Sequence, residues 1–141
     1  MKNFSYTFIL FIIATLPAIA QKQTGETLRP ESFNQIVVEG NFNIHLSQGN
    51  ECLLYIDATE HSTLLLINVV SKRGTLSIGY NKQVKKSLKL NPGTIDIYVT
   101  VKELKSLDIS EGCTVIGSSI IHAKKLRIKS HSATIRGLNV N

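Results

Sequence analysis

From Ile36 onward the chain keeps returning to a period of two, and few folds tolerate that pattern. In "IVVEGNFNIHLSQG", Ile36, Val38, Gly40, Phe42, Ile44 and Leu46 share one parity, while Val37, Glu39, Asn41, Asn43, His45 and Ser47 share the other. A β-strand sends alternate side chains to opposite faces, so the first set is expected in a core and the second in water. The alternation recurs in Leu54, Ile56 and Ala58, in Leu76, Ile78 and Tyr80, and in Ile95, Ile97, Val99 and Val101 against Asp96, Tyr98 and Thr100. The turn-forming stretches "QGNE", "SKRG" and "NPGT" lie between these segments. Only "ATEHSTLLLINVV" has helical character. Its β-branched end, followed by "SKRG" and "TLSIGY", predicts a hairpin preceded by at most a helical turn with Thr59 as its cap. The fold class is therefore all-β, with hairpins in the amino-terminal part.

A second feature narrows the class. "LKSLDISEGCTVIG" at 104–117 is echoed by "AKKLRIKSHSATIRG" at 123–137. At an offset of nineteen Leu107 pairs with Leu126 and Ile109 with Ile128; at twenty, Thr114 pairs with Thr134, Val115 with Ile135 and Gly117 with Gly137. A repeat near twenty residues is the length of one coil of a β-solenoid, in which short parallel strands stack and like residues lie over like. This predicts Leu126 over Leu107, Ile128 over Ile109, and Asp108 beside Arg127 on the outer face. An opposite-charge pair one strand spacing apart (about 4.8 Å) contributes a few tenths to ~1 kcal/mol. "GLNVN" reads as the opening of a further coil, so the chain is read as either naturally short or cut short. An uncovered last coil predicts self-association through that open end.

The length of 141 residues with 43% hydrophobic content suits one modest domain. "MKNFSYTFILFIIATLPAIAQ" combines the basic Lys2, an apolar run from Phe8 to Leu16, Pro17, and the small-x-small Ala18-Ile19-Ala20 of an export signal. The run is shorter than the roughly 20 residues a membrane-crossing helix needs, and no later segment could span a bilayer. The expected division is a signal peptide at 1–20, a polar leader at 21–32 and the β-domain at 33–141. No Cys follows the expected cut closely enough to carry a lipid. The mature protein would be periplasmic, attached to the outer surface or secreted. Loss of Lys2 changes the formal charge from +6 to +5. An exported protein with that balance meets anionic lipid head groups and acidic polysaccharides before nucleic acid. Cys52 and Cys113 could form a disulfide in that compartment, or each could serve as a small hydrophobe beside apolar strand residues.

Catalytic constellations are absent from the pattern. Arg127-Ile128-Lys129 matches one short element of sugar-cleaving β-helix enzymes, but that chemistry needs clustered acids, and Asp96, Asp108 and Glu111 stand isolated in the sequence. His45, His61, His122 and His131 lack paired metal-ligand spacing, no G-x-S-x-G turn presents a nucleophile, and no glycine-rich phosphate loop occurs. Neither a cofactor nor a metal is expected. Two basic groups remain: Lys82, Lys85, Lys86 and Lys89 in a loop, and the stripe Lys124, Lys125, Arg127 and Lys129. The stripe could meet anionic glycans or an envelope surface, or simply keep the surface soluble and discourage edge pairing. It lacks the interleaved aromatics that single-stranded nucleic acid prefers.

The order "FNQIVVEGNFNIHLSQGNECLLYIDA", "RGTLSIGY" and "IDIYVTVKELKSLDISEGCTVIG" resembles the head-GIN, auto-transporter adhesin family of exported Bacteroidetes proteins. Its most specific parts are the strand and turn Phe42 to Gly49, the turn Gly74-Thr75-Leu76, and Tyr98-Val99-Thr100 leading to Leu104, Leu107 and Ile109. The resemblance covers the chain from about Phe33 onward and implies a right-handed, β-helix-like stack with an adhesion role. The expected function is thus a non-catalytic envelope module that binds through one face of a solenoid. A periplasmic scaffolding protein and a carbohydrate-active β-helix enzyme are the alternatives.

Overall fold

In the computed structural model, residues 25–58, 61–83, 86 and 95–141 are described. The alternating segments become strands that turn corners. β2 (Gln35–Glu39) bends into β3 (Phe42–Gln48), β8 (Ser106–Ser110) into β9 (Thr114–Gly117), and β11 (Arg127–His131) into β12 (Thr134–Arg136). The remaining strands of the two main sheets are β1 (Gly25–Leu28), β4 (Leu53–Asp57), β5 (Ile67–Lys72), β6 (Thr75–Tyr80) and β7 (Ile95–Val101). First arms join a five-stranded sheet in the order β11-β8-β2-β6-β5, and second arms a six-stranded sheet in the order β1-β4-β7-β3-β9-β12. A two-stranded parallel sheet pairs β10 (Ile120–Ile121) with β13 (Asn139–Val140).

One core lies between the sheets. Ile36, Val38, Leu76, Leu107 and Ile109 enter it from the five-stranded side, and Phe42, Ile44, Leu46, Leu54, Ile97 and Val99 from the other. These are the residues that strand parity assigned to the interior, and no polar side chain is buried among the described residues. The first corner depends on Gly40. Its φ is +130°, and a β-carbon there would come within 2.6 Å of the Tyr80 ring, which packs on Phe42 with centroids 4.8 Å apart.

The expected right-handed solenoid is not the architecture. Both sheets are mixed: β4 runs antiparallel to β7, β1 to β4, and β5 to β6. Nor do the layers follow chain order, because β2 sits between β6 and β8, and β3 between β7 and β9. The reason is visible in the turns. Arg73 and Gly74, with φ of 52° and 77°, make the tight reversal that links antiparallel neighbours. A solenoid coil must instead bring every strand back in one direction. The β5–β6 hairpin itself was expected, and the helical turn before it is α1 (His61–Leu66). Gly25–Leu28, read as part of a polar leader, is built into the six-stranded sheet.

The echoed phrases do pair in parallel, in the expected register after the corner and in a different one before it. Thr134 lies opposite Thr114 and Ile135 opposite Val115, at the twenty-residue offset. Upstream, Ile128 lies opposite Leu107, Ser130 opposite Ile109 and Lys129 opposite Asp108, while Arg127 faces Ser106. Leu126 precedes β11 and is half-buried. The cause is corner length: Glu111, Gly112 and Cys113 separate β8 from β9, whereas only Ser132 and Ala133 separate β11 from β12. A corner shorter by one residue raises the offset on its amino-terminal side to twenty-one. The last layer forms an open edge, with every residue of β11 exposed and Arg127 and Lys129 placed along it.

Cys52 and Cys113 are free thiols, half-buried and buried respectively. Burial pushes the Cys113 thiol from an ordinary 9.0 up to about 11. The folded state therefore holds that proton more tightly than the unfolded chain does. Its contribution is complete below about pH 9 and is lost as pH rises toward 11, by roughly 2–3 kcal/mol at most. Urea titrations at about pH 8 and about pH 10.5 should show a smaller loss for Cys113→Ala than for the parent. An equal loss in both would rule this out. Tyr80, whose hydroxyl is also pushed up by burial, is common to both proteins. Among the described residues no helix is long and apolar enough to cross a membrane. The expected signal at 1–20 lies outside them.

Candidate anion-binding cleft

Three parallel strands of the five-stranded sheet begin side by side, and their first residues form a row: Gln35 on β2, Ser106 on β8 and Arg127 on β11. The backbone ladder continues just upstream. The Lys105 N–H donates to the Asn34 carbonyl at 2.7 Å, and the Arg127 N–H to the Lys105 carbonyl at 3.0 Å. Leu104, fully buried, anchors the loop that leads into β8. Beside this row lies a cleft of about 510 Å³ lined by Glu103, Lys105, Lys124, Lys125 and Arg127 together with Gln35, Leu104 and Ser106.

Four cations and one carboxylate share that cleft. Among the described residues none of Lys105, Lys124, Lys125 and Arg127 forms an ion pair; the pairs present are Arg29 with Glu51 and His45 with Asp96. All four are exposed, so water screens their mutual repulsion. The arrangement can receive an anion: the guanidinium offers a planar fork for two oxygens, and the ammonium groups act as mobile point charges.

Of the expected stripe, Lys124, Lys125 and Arg127 come together here, whereas Lys129 is not part of the lining and lies opposite Asp108 on the neighbouring β8. The expected Asp108–Arg127 neighbourhood is not formed. Lys105 and Gln35 were missed because they reach the cleft through strand stacking, although Lys105 immediately precedes β8 as Leu126 precedes β11. Of the other basic loop only Lys82 and Lys86 lie within the described residues, and both are exposed.

Asp96, Asp108 and Glu111 do not converge. Asp96 is on the outer side of the six-stranded sheet, Asp108 on the five-stranded sheet, and Glu111 at the corner between β8 and β9. They do not make the facing carboxylate pair of a glycosidase. No group of three metal-ligating side chains occurs among the described residues. The His122 backbone is held by the Gln48 amide, which accepts from its N–H at 2.7 Å and donates to its carbonyl at 3.3 Å.

Residues 32–140 match a protein-family model described as "Putative auto-transporter adhesin, head GIN domain". The chain belongs to this family. The fold of the head GIN domain is shared with a putative adhesin from Bacteroides fragilis, at a TM-score of 0.69 and 21% identity over 83% of this chain and 54% of that one. A putative adhesin from Parabacteroides merdae matches at 0.56 and 14% over 83% and 54%. A protein from Parabacteroides distasonis described as a putative lipid binding protein matches at 0.55 and 21% over 75% and 45%. The chain thus spans about half the length of these solved structures. Among curated proteins nothing matches it.

Proposed function

We propose that this head GIN domain is an exported, non-catalytic binding module that holds an acidic glycan of the cell envelope in the cleft of Lys105, Lys124, Lys125 and Arg127. One observation carries the reading: four cations surround a single cleft without an ion-pair partner among the described residues. A folded surface gains little by gathering like charges, and their repulsion is relieved when an anion enters. Export rests on the amino-terminal "MKNFSYTFILFIIATLPAIAQ". The adhesion described for the family supports a surface role.

Each exposed contact is worth about 1 kcal/mol or less, so affinity comes from several at once and falls with salt. Binding of the purified chain to uronic-acid or sulfated oligosaccharides is expected to drop by roughly tenfold or more in a Lys124→Ser/Lys125→Ser/Arg127→Ser variant, and to weaken as salt is raised. Vesicles containing phosphatidylglycerol form a second arm, prompted by the Parabacteroides distasonis relative's description. Binding to vesicles alone would move the proposal from glycan to lipid. Unchanged glycan binding in the triple variant would overturn the assignment of the cleft.

A further inference from the structure

The outer face of the six-stranded sheet carries a row of rings used by neither the core nor the cleft. Register sets Tyr55 of β4 opposite Tyr98 of β7, and Tyr98 opposite His45 of β3. His45 and Tyr98 stack with centroids 4.4 Å apart and planes 11° from parallel. Tyr55 stands 6.0 Å from Tyr98 and is tilted by 45°. Its ring occupies the space that a β-carbon at Gly25 would need, so it leans outward over β1 and the rings fan apart along the row. Three rings thus extend across about two strand spacings, roughly 10 Å. Tyr98 is 44% exposed.

Hydrogen-bonding groups flank the rings on both sides. On one side the Asp96 Oδ1 accepts from the Asn43 amide at 3.2 Å and lies 2.9 Å from His45 Nε2, while its Oδ2 makes no hydrogen bond among the described residues. Asp57 lies opposite Asp96 on β4. On the other side the Ser47 and Thr100 hydroxyls are paired at 3.1 Å. The His45–Asp96 contact locks the imidazole and, through stacking, steadies Tyr98. A rigid ring beside an acceptor with free capacity is the combination that places an apolar surface and a directional bond together.

We infer that this strip is a second binding site, for an uncharged saccharide. The C–H face of a pyranose covers the aromatic row, and its hydroxyls donate to Asp96 Oδ2 and exchange hydrogen bonds with Thr100 and Ser47. Asp57 and Asp96 repel anions here, so the ligand differs in charge from one suited to the basic cleft. The same carboxylates disfavour a nucleic-acid backbone.

The test is titration of the purified chain with neutral oligosaccharides of glucose, mannose and N-acetylglucosamine, read by calorimetry and by NMR shifts of the Tyr55, Tyr98 and His45 rings. Tyr98→Ala is expected to weaken binding by about tenfold or more, and Asp96→Asn by several-fold. Both side chains point outward, and circular dichroism verifies that each variant stays folded. The Lys124→Ser/Lys125→Ser/Arg127→Ser variant should bind neutral sugars as the parent does, which separates this site from the cleft. No shift of the three rings with any neutral sugar, or full affinity retained in Tyr98→Ala, would overturn the inference.

Discussion

Replacing Leu107 by Ala is expected to lower the unfolding free energy by about 2–5 kcal/mol, whereas Ile128→Ala should cost about 1 kcal/mol or less. The two side chains occupy one column, since Ile128 lies opposite Leu107 in the parallel pair of β11 and β8. Their surroundings differ. Leu107 is fully buried between the sheets, and its truncation removes contacts on all sides and leaves a cavity. Ile128 is 41% exposed on the open layer, where water fills any space that truncation creates. Against a total stability of about 5–15 kcal/mol, the first change alone threatens the fold. Urea unfolding of both variants at one protein concentration measures the contrast. Equal losses would mean that the β11 edge is covered in solution, which is what self-association through the last layer would produce.

The second large effect is expected at Gly117. A β-carbon there would overlap the Gly137 carbonyl oxygen and come within 2.8 Å of Leu138 Cα. These are backbone atoms, so no rotamer change relieves the overlap. In Gly117→Ala, β12 and β13 must move off β9 and β10, at a cost of roughly 1–3 kcal/mol from overpacking together with the ladder bonds that part. The damage should be local. Hydrogen exchange is expected to quicken at the Thr134 amide, which donates to the Cys113 carbonyl at 2.9 Å, and at Asn141, which donates to Ile121 at 2.9 Å. Amides of β3 and β7, in the middle of the six-stranded sheet, should keep their protection. Uniform acceleration across both groups would show that the last layer is not a separable unit.

The two proposed binding regions were legible to different degrees. Lys124, Lys125 and Arg127 stand together in the chain, so their shared position could be seen from spacing alone. Lys105 and Gln35 could not, because they join the cleft only when β2, β8 and β11 begin at one level. Parity placed His45 and Tyr98 on the outside, but nothing local in "FNIHLSQ" or "IDIYVTV" says that the two rings are neighbours. That contact exists because β3 and β7 lie side by side despite their distance along the chain. The nineteen-residue half of the echo failed for a related reason: Leu107 finds an apolar match at nineteen in Leu126 and at twenty-one in Ile128, and the corner between β11 and β12 selects the latter.

Apolar and polar alternation along the central segments was sufficient to assign the interior, from Ile36 and Val38 through Phe42, Ile44 and Leu46 to Ile97 and Val99. The two faces of a strand follow from covalent geometry, which travels with the segment wherever it packs. Strand direction and order were settled at a longer range. β2 and β3 are flanked by strands made later, and β1, β4 and β5 run against their neighbours, because the turns that reverse the chain and the burial of both sheets act on the whole assembly at once.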